Sequence, residues 1–244
     1  MGRLDHHSVP RNSFSEIAIY IKPALLFVGE RASKEMFMST ILYHKGILVT
    51  DSGFVVKVGQ DYRIFSNDSN KTKLVLSSGK MIALAFTGEF ILKNQLINVA
   101  NFFECILKRD GVINIYDKMI RDTLINVASL NCSELVFLIM EKKTRSVYMI
   151  ELRDDDKKIS FSSYRYDYDD TVGLGTGGLI GCGAINNGMG ILEAAEFTVK
   201  VDAGSRFPLR YVTMDDLHDG EFSTNDEVTI LEFTKAYLEH NHEQ

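Results

Sequence analysis

The chain has 244 residues, 45% of them hydrophobic and 25% charged, an ordinary composition for a water-soluble protein with a sizeable core and, by default, one domain. Its formal charge of -6 and the lack of any dense Lys/Arg cluster exclude a phosphate-backbone partner, so no nucleic acid is expected. Cys105, Cys132 and Cys182 are widely spaced without a CxxC pair, which excludes a disulfide framework and a zinc knuckle and fits a reducing, cytoplasmic compartment.

Residues 1–38 open with a polar lead and show no clean period of 2 or 3.6, and they read as an appendage or propeptide-like segment. Their apolar stretch, 17–28, is broken by Lys22 and Pro23 and is well short of the ~20 residues that cross a bilayer, so no membrane partner is expected. From Ser39 the pattern changes to short strands: STILYH, a KG turn, ILVTD, FVVKV, DYRIF, KLVLS and KMIALAF. Leu92, Leu96, Val99, Phe103 and Leu107 then recur at helical spacing and predict a helix over 89–110, ended by Gly111. A second helix is expected over 114–130, with Ile120, Leu124 and Val127 on one face.

Strands return as a meander, ELVFLIM, SVYMIEL and ISFSSYRY, whose corners EKKTR and RDDDKK are charged. A glycine cluster over 173–190 follows, then a stretch with helical spacing through Val201 and a strand in PLRYVTM. The tail over 225–240 begins with Asn225, Asp226 and Glu227, which suit a helix cap and first turn. Strands, two helices, strands, then helix and strand predict an α+β fold, a four-layer αββα sandwich of two antiparallel sheets. The domain is expected over 39–217, with 218–244 as a tail carrying the helix.

Several residues have plain structural explanations. Gly173, Gly175 and Gly178 satisfy GxGxxG, but no strand–helix–strand repeat surrounds them, which argues against a dinucleotide site. Five of the six histidines lie near the ends or in polar context, and no Ser-His-Asp relay or metal spacing is visible. Asp51 is by itself a strand-end turn residue, Lys73 an edge lysine, and Asp202 and Ser205 a helix cap with its turn.

Their order changes that picture. STILYHKGILVTDS, the Lys73 and Gly88 ends of KLVLSSGKMIALAFTG, Gly175-Thr176-Gly177, and Asp202-Ala203-Gly204-Ser205 resemble, in sequence over 39–217, the motifs of proteasome beta subunits and the HslV peptidase. Those are N-terminal-nucleophile (Ntn) hydrolases, in which the first residue of the mature chain attacks the peptide carbonyl. The resemblance implies Ser39 as nucleophile, with Thr40 as the threonine alternative, and Asp51 and Lys73 as its partners. It implies Gly88 N–H as oxyanion donor, and Thr176, Asp202 and Ser205 as supporting groups. Gly53 and Arg206 depart from the family, which has Arg and Gly at those places.

An α-amino group, with a reference pKa of about 7.7 to 8.0, is a better base near neutrality than lysine, and the Lys73 ammonium would depress it further while Asp51 orients that ammonium. The amine must be free. Removal of residues 1–38 by the fold itself would free it, as would a start at Met38 followed by trimming. The hairpin between Ser39 and Asp51 is shorter than the family's by an even number of residues, which keeps Ser39, not Thr40, on the required face.

The resemblance further implies an endopeptidase acting on unfolded polypeptide substrates, a homo-oligomeric ring, feeding by an AAA+ unfoldase ATPase, and no cofactor. Two rivals stand beside it: a catalytically inactive proteasome-fold structural or assembly protein, and an Ntn amidohydrolase acting on a small amide.

Overall fold

The structure, a computed structural model, describes residues 39–58, 61–65, 72–88, 93–128, 134–155, 158–215, 217 and 219–222, all within the unit Met36–Gln244. The expected appendage over 1–38 and the tail helix over 225–240 lie outside the described residues. Strands β1 (Ile41–His44), β2 (Ile47–Thr50), β3 (Phe54–Val58), β4 (Asp61–Phe65), β5 (Leu74–Leu76) and β6 (Ile82–Gly88) come first, as expected. Helices α1 (Lys93–Asp110) and α2 (Lys118–Ala128) lead to the meander β7 (Glu134–Glu141), β8 (Ser146–Asp155) and β9 (Lys158–Tyr166). The chain continues through β10 (Thr171–Leu174), α3 (Gly175–Asn186), α4 (Ile191–Val201), β11 (Leu209–Thr213) and β12 (Asp219–Phe222).

Two five-stranded antiparallel sheets form, in the orders β10-β1-β2-β11-β12 and β5-β6-β7-β8-β9, with β3-β4 as a separate hairpin. Because successive strand side chains point to opposite faces, each sheet serves two cores. On β6, Ile82, Leu84 and Phe86 pack with α1 and α2, while Ala83 and Ala85 face the other sheet. On β1 and β2, Ile41, Tyr43 and Leu48 join them in the interlayer, while Leu42, Ile47 and Val49 pack with Ile191, Leu192 and Ala195 of α4. The fold is therefore α+β, a four-layer sandwich with α1 and α2 on one outer face and α3 and α4 on the other.

Helix α1 ends as expected, with Gly111 at φ +75° and its N–H donating to Leu107 O at 2.9 Å, a left-handed cap that glycine adopts without strain. The same helix fixes the turn between β5 and β6: Asn101 Oδ1 accepts from Ser78 N and Glu104 Oε2 from Gly79 N, at 2.8 and 2.9 Å. Two elements depart from expectation. The glycine cluster resolves into β10 and the twelve-residue helix α3, and the first sheet continues past residue 217 with β12, whose register on β11 runs from Leu209↔Phe222 to Val212↔Asp219.

Candidate active site

Asp51 follows β2 directly and is 1% exposed. Its Oδ1 accepts from Lys73 Nζ at 2.6 Å and from Thr40 N at 2.8 Å, and its Oδ2 from Gly53 N at 2.8 Å and Arg206 N at 3.2 Å. Four donors on two oxygens make a satisfied carboxylate, which is what allows a charge to be buried here. Lys73 is also buried, at 5%, and immediately precedes β5 of the opposite sheet, so the ion pair spans the interlayer. Removing either partner would strand the other charge away from water, a change that is strongly destabilising at such sites.

The alternation along β1 separates Ser39 from Thr40. Asp51 N donates to Thr40 O at 2.9 Å, which extends the β1–β2 ladder one step beyond Ile41↔Thr50. Thr40 thus shares the face of Leu42, toward α3 and α4, and Ser39 shares the face of Ile41 and Tyr43, toward the other sheet. Gly177 N, in the first turn of α3, donates to Ser39 O at 3.0 Å, using one of the N–H groups a helix start leaves without an internal partner. Gly175 is at φ +75°, and a side chain there would overlap the Ser39 carbonyl. Ser39 itself is 7% exposed.

Thr40 is engaged elsewhere. Its Oγ1 lies 2.6 Å from Ser205 Oγ, which donates to Asp202 Oδ2 at 2.5 Å, and Thr176 Oγ1 donates to Asp202 Oδ1 at 3.0 Å. Asp202 is the C-cap residue of α4, where the helix dipole disfavours a carboxylate. Two hydroxyl donors offset that placement and turn the carboxylate toward the Ser39 segment. The sequence-selected residues Thr40, Asp51, Lys73, Thr176, Asp202 and Ser205 are thereby linked by hydrogen bonds into one region, which Ser39 adjoins as the chain neighbour of Thr40.

Gly88 closes β6 at φ +122°, paired with Leu135, on the same sheet as Lys73. The helix start expected beside it, 89–92, lies outside the described residues. Sequence reasoning missed the main-chain donors Gly53 and Arg206. At Gly53 a Cβ would stand 2.8 Å from both Asp51 Oδ2 and Gly204 O, so the glycine there is a packing requirement. Arg206 contributes its backbone N–H, and a backbone donor leaves no residue-type signal.

Other nucleophiles and bases are placed differently. Burial in the α3–α4 layer pushes the Cys182 thiol up to about 11, leaving it protonated and unreactive at neutral pH. His44 Nδ1 lies 2.8 Å from Thr171 Oγ1 at the far end of β1, and burial, then the nearby Lys45, holds its pKa below the ordinary value. Among the described residues no group of three His, Cys, Asp or Glu could hold a metal, and no helix is long and apolar enough to cross a membrane.

No protein-family model matches the chain, and no curated protein matches it. Among solved structures, Thiobacillus denitrificans BPH in complex with Epoxomicin is similar at 12% identity with a TM-score of 0.42, over 76% of this chain and 98% of that one. A second structure of Thiobacillus denitrificans BPH is similar at 13% identity with a TM-score of 0.40 over the same shares. At that distance neither likeness assigns a chemistry to this chain.

Proposed function

We propose that the chain is an N-terminal-nucleophile hydrolase and, more specifically, a serine-type peptidase subunit that cleaves peptide bonds in unfolded polypeptides. The observation that carries the proposal is the Asp51 carboxylate, which holds Lys73 of one sheet and the backbone of Thr40, next to Ser39, of the other. Once Ser39 bears a free amine, that amine takes the Ser39 Oγ proton as the oxygen attacks a substrate carbonyl, and the Lys73 ammonium keeps the amine neutral near pH 7. The N–H of Gly88 receives the developing oxyanion. The oxyanion then collapses, the scissile C–N bond breaks, and the leaving amine departs with the proton that the Ser39 amine had taken. Water attacks the acyl–Ser39 ester, the amine accepts the water's proton, and Ser39 Oγ leaves with it. Assembly into a homo-oligomeric ring, feeding by an AAA+ ATPase and a cytoplasmic setting belong to the same proposal and draw on the sequence resemblance.

The test is the intact mass and N-terminal sequence of untagged protein, followed by peptide hydrolysis. A mature chain beginning at Ser39 is expected, with Ser39→Ala, Lys73→Ala and Asp51→Asn each lowering kcat at least about 100-fold. A protein that keeps residues 1–38 and hydrolyses nothing would overturn the assignment in favour of an inactive structural subunit.

A further inference from the structure

Lys73 and Asp51 belong to different sheets, so the distance between them depends on how the two layers are held. Lys73 lies at a bend just before β5, outside regular strand. Its carbonyl accepts from Phe86 N at 3.0 Å, which ties the bend to its own sheet only. Beside the Lys73–Asp51 pair itself, a second tie across the interlayer runs through the preceding residue. Thr72 Oγ1 donates to Leu74 O at 2.8 Å, accepts from Leu74 N at 3.3 Å, and accepts from Arg210 Nη1 at 2.7 Å. One donated and two accepted bonds are the full capacity of a hydroxyl.

Thr72 thus closes the chain around Lys73, and Arg210 grips that closure from β11. Arg210 stands opposite Thr50, the residue before Asp51. Alternation places both on the interlayer side: Val212 and Leu48 belong to the core between the sheets, whereas Leu209 and Val49 belong to the α3–α4 core. One end of the tie is adjacent to Asp51 and the other adjacent to Lys73. Thr50 and Thr87, beside it, carry buried hydroxyls without a hydrogen-bond partner, so this spot is polar inside an otherwise apolar interlayer. Apolar residues of similar size would often serve stability equally well or better, which leaves geometry as the reason for a polar tie.

Resting on the peptidase assignment, we propose that Arg210 and Thr72 form a clasp between the sheets that holds Lys73 Nζ on Asp51. Both are positioning residues, acting through Lys73 rather than on the substrate. The experiment compares wild type, Thr72→Val, Thr72→Ser and Arg210→Lys in the full chain, with two readouts. The first is the rate of reductive methylation of Lys73, followed by peptide mass mapping with the exposed Lys108 as internal reference. The second is kcat and KM on a fluorogenic peptide.

Thr72→Val is expected to methylate at Lys73 severalfold faster while Lys108 is unchanged, and to lose about 100-fold in kcat with KM little altered. Thr72→Ser, which keeps the hydroxyl, restores both. Should Thr72→Val fail to fold, Arg210→Lys carries the same test, since it keeps the charge and withdraws the planar fork from Thr72. Unchanged Lys73 protection and unchanged kcat in the folded variant would overturn the clasp alone. Protein that hydrolyses nothing in any form, yet exposes Lys73 in Thr72→Val, would overturn the peptidase assignment and leave the clasp standing.

Discussion

Gly177 meets two demands that no other residue can meet together. Its N–H holds the Ser39 carbonyl, and a Cβ there would overlap Thr40 Oγ1 and stand 2.8 Å from both Ser205 Oγ and Thr198 Cγ2. Alanine must therefore part the Thr40–Ser205 pair or lift α3 from β1. Gly177→Ala is expected to lower stability by about 1–3 kcal/mol in denaturant titration and to stop hydrolysis in the molecules that still fold. Full activity with normal stability would mean that this contact yields more easily than the structure indicates. At this scale the side-chain contacts were legible: Asp51 and Lys73 form an ion pair and Ser205 donates to Asp202, residues whose types and order the sequence displays, while their catalytic roles belong to the proposal. The donors Gly53 and Arg206 were not, because they act through the main chain.

At the scale of elements, the β1–β2 hairpin decides which hydroxyl faces which layer. The same alternation leaves Thr50 pointing into the interlayer, fully buried and without a partner for Oγ1. An unsatisfied buried hydroxyl carries a desolvation penalty, so Thr50→Val, which keeps the shape, is expected to raise stability by about 1 kcal/mol in urea titration. A loss of stability would show that Oγ1 is bonded in solution. The meander β7–β9 could be read from the sequence because its strands alternate between two cores and its corners are charged. Helix α3 could not, since Gly175, Gly177, Gly178, Gly181 and Gly183 disfavour a helix in isolation. Packing overrides propensity there: side chains at Gly178 and Gly181 would strike the Ile41 carbonyl and Leu42, and one at Gly177 would strike Thr40 Oγ1, so all but Gly183 of the glycines that hide the helix keep it close to the neighbouring strands.

At the scale of the whole molecule, the core between the sheets and the α3–α4 core also hold ionisable groups in their neutral forms. Burial raises Cys182 from an ordinary 9.0 to about 11 and Tyr166 from 10.0 to about 12, and it pushes Tyr43 upward as well. The unfolded chain releases these protons at lower pH than the folded one. Their contribution is complete below the unfolded values and is lost as pH rises through the folded ones. The midpoint of urea unfolding is therefore expected to fall between about pH 9 and about pH 12, and a flat profile would show that these groups ionise without disturbing the cores. The layered plan has one further consequence. Ser39 and Asp51 ride on one sheet, Lys73 and Gly88 on the other, so a shear of the two sheets by a fraction of a residue step would disarm the centre while every strand and helix stayed intact. On the peptidase reading proposed above, activity would measure the alignment of the two halves and would be lost well before anything unfolds.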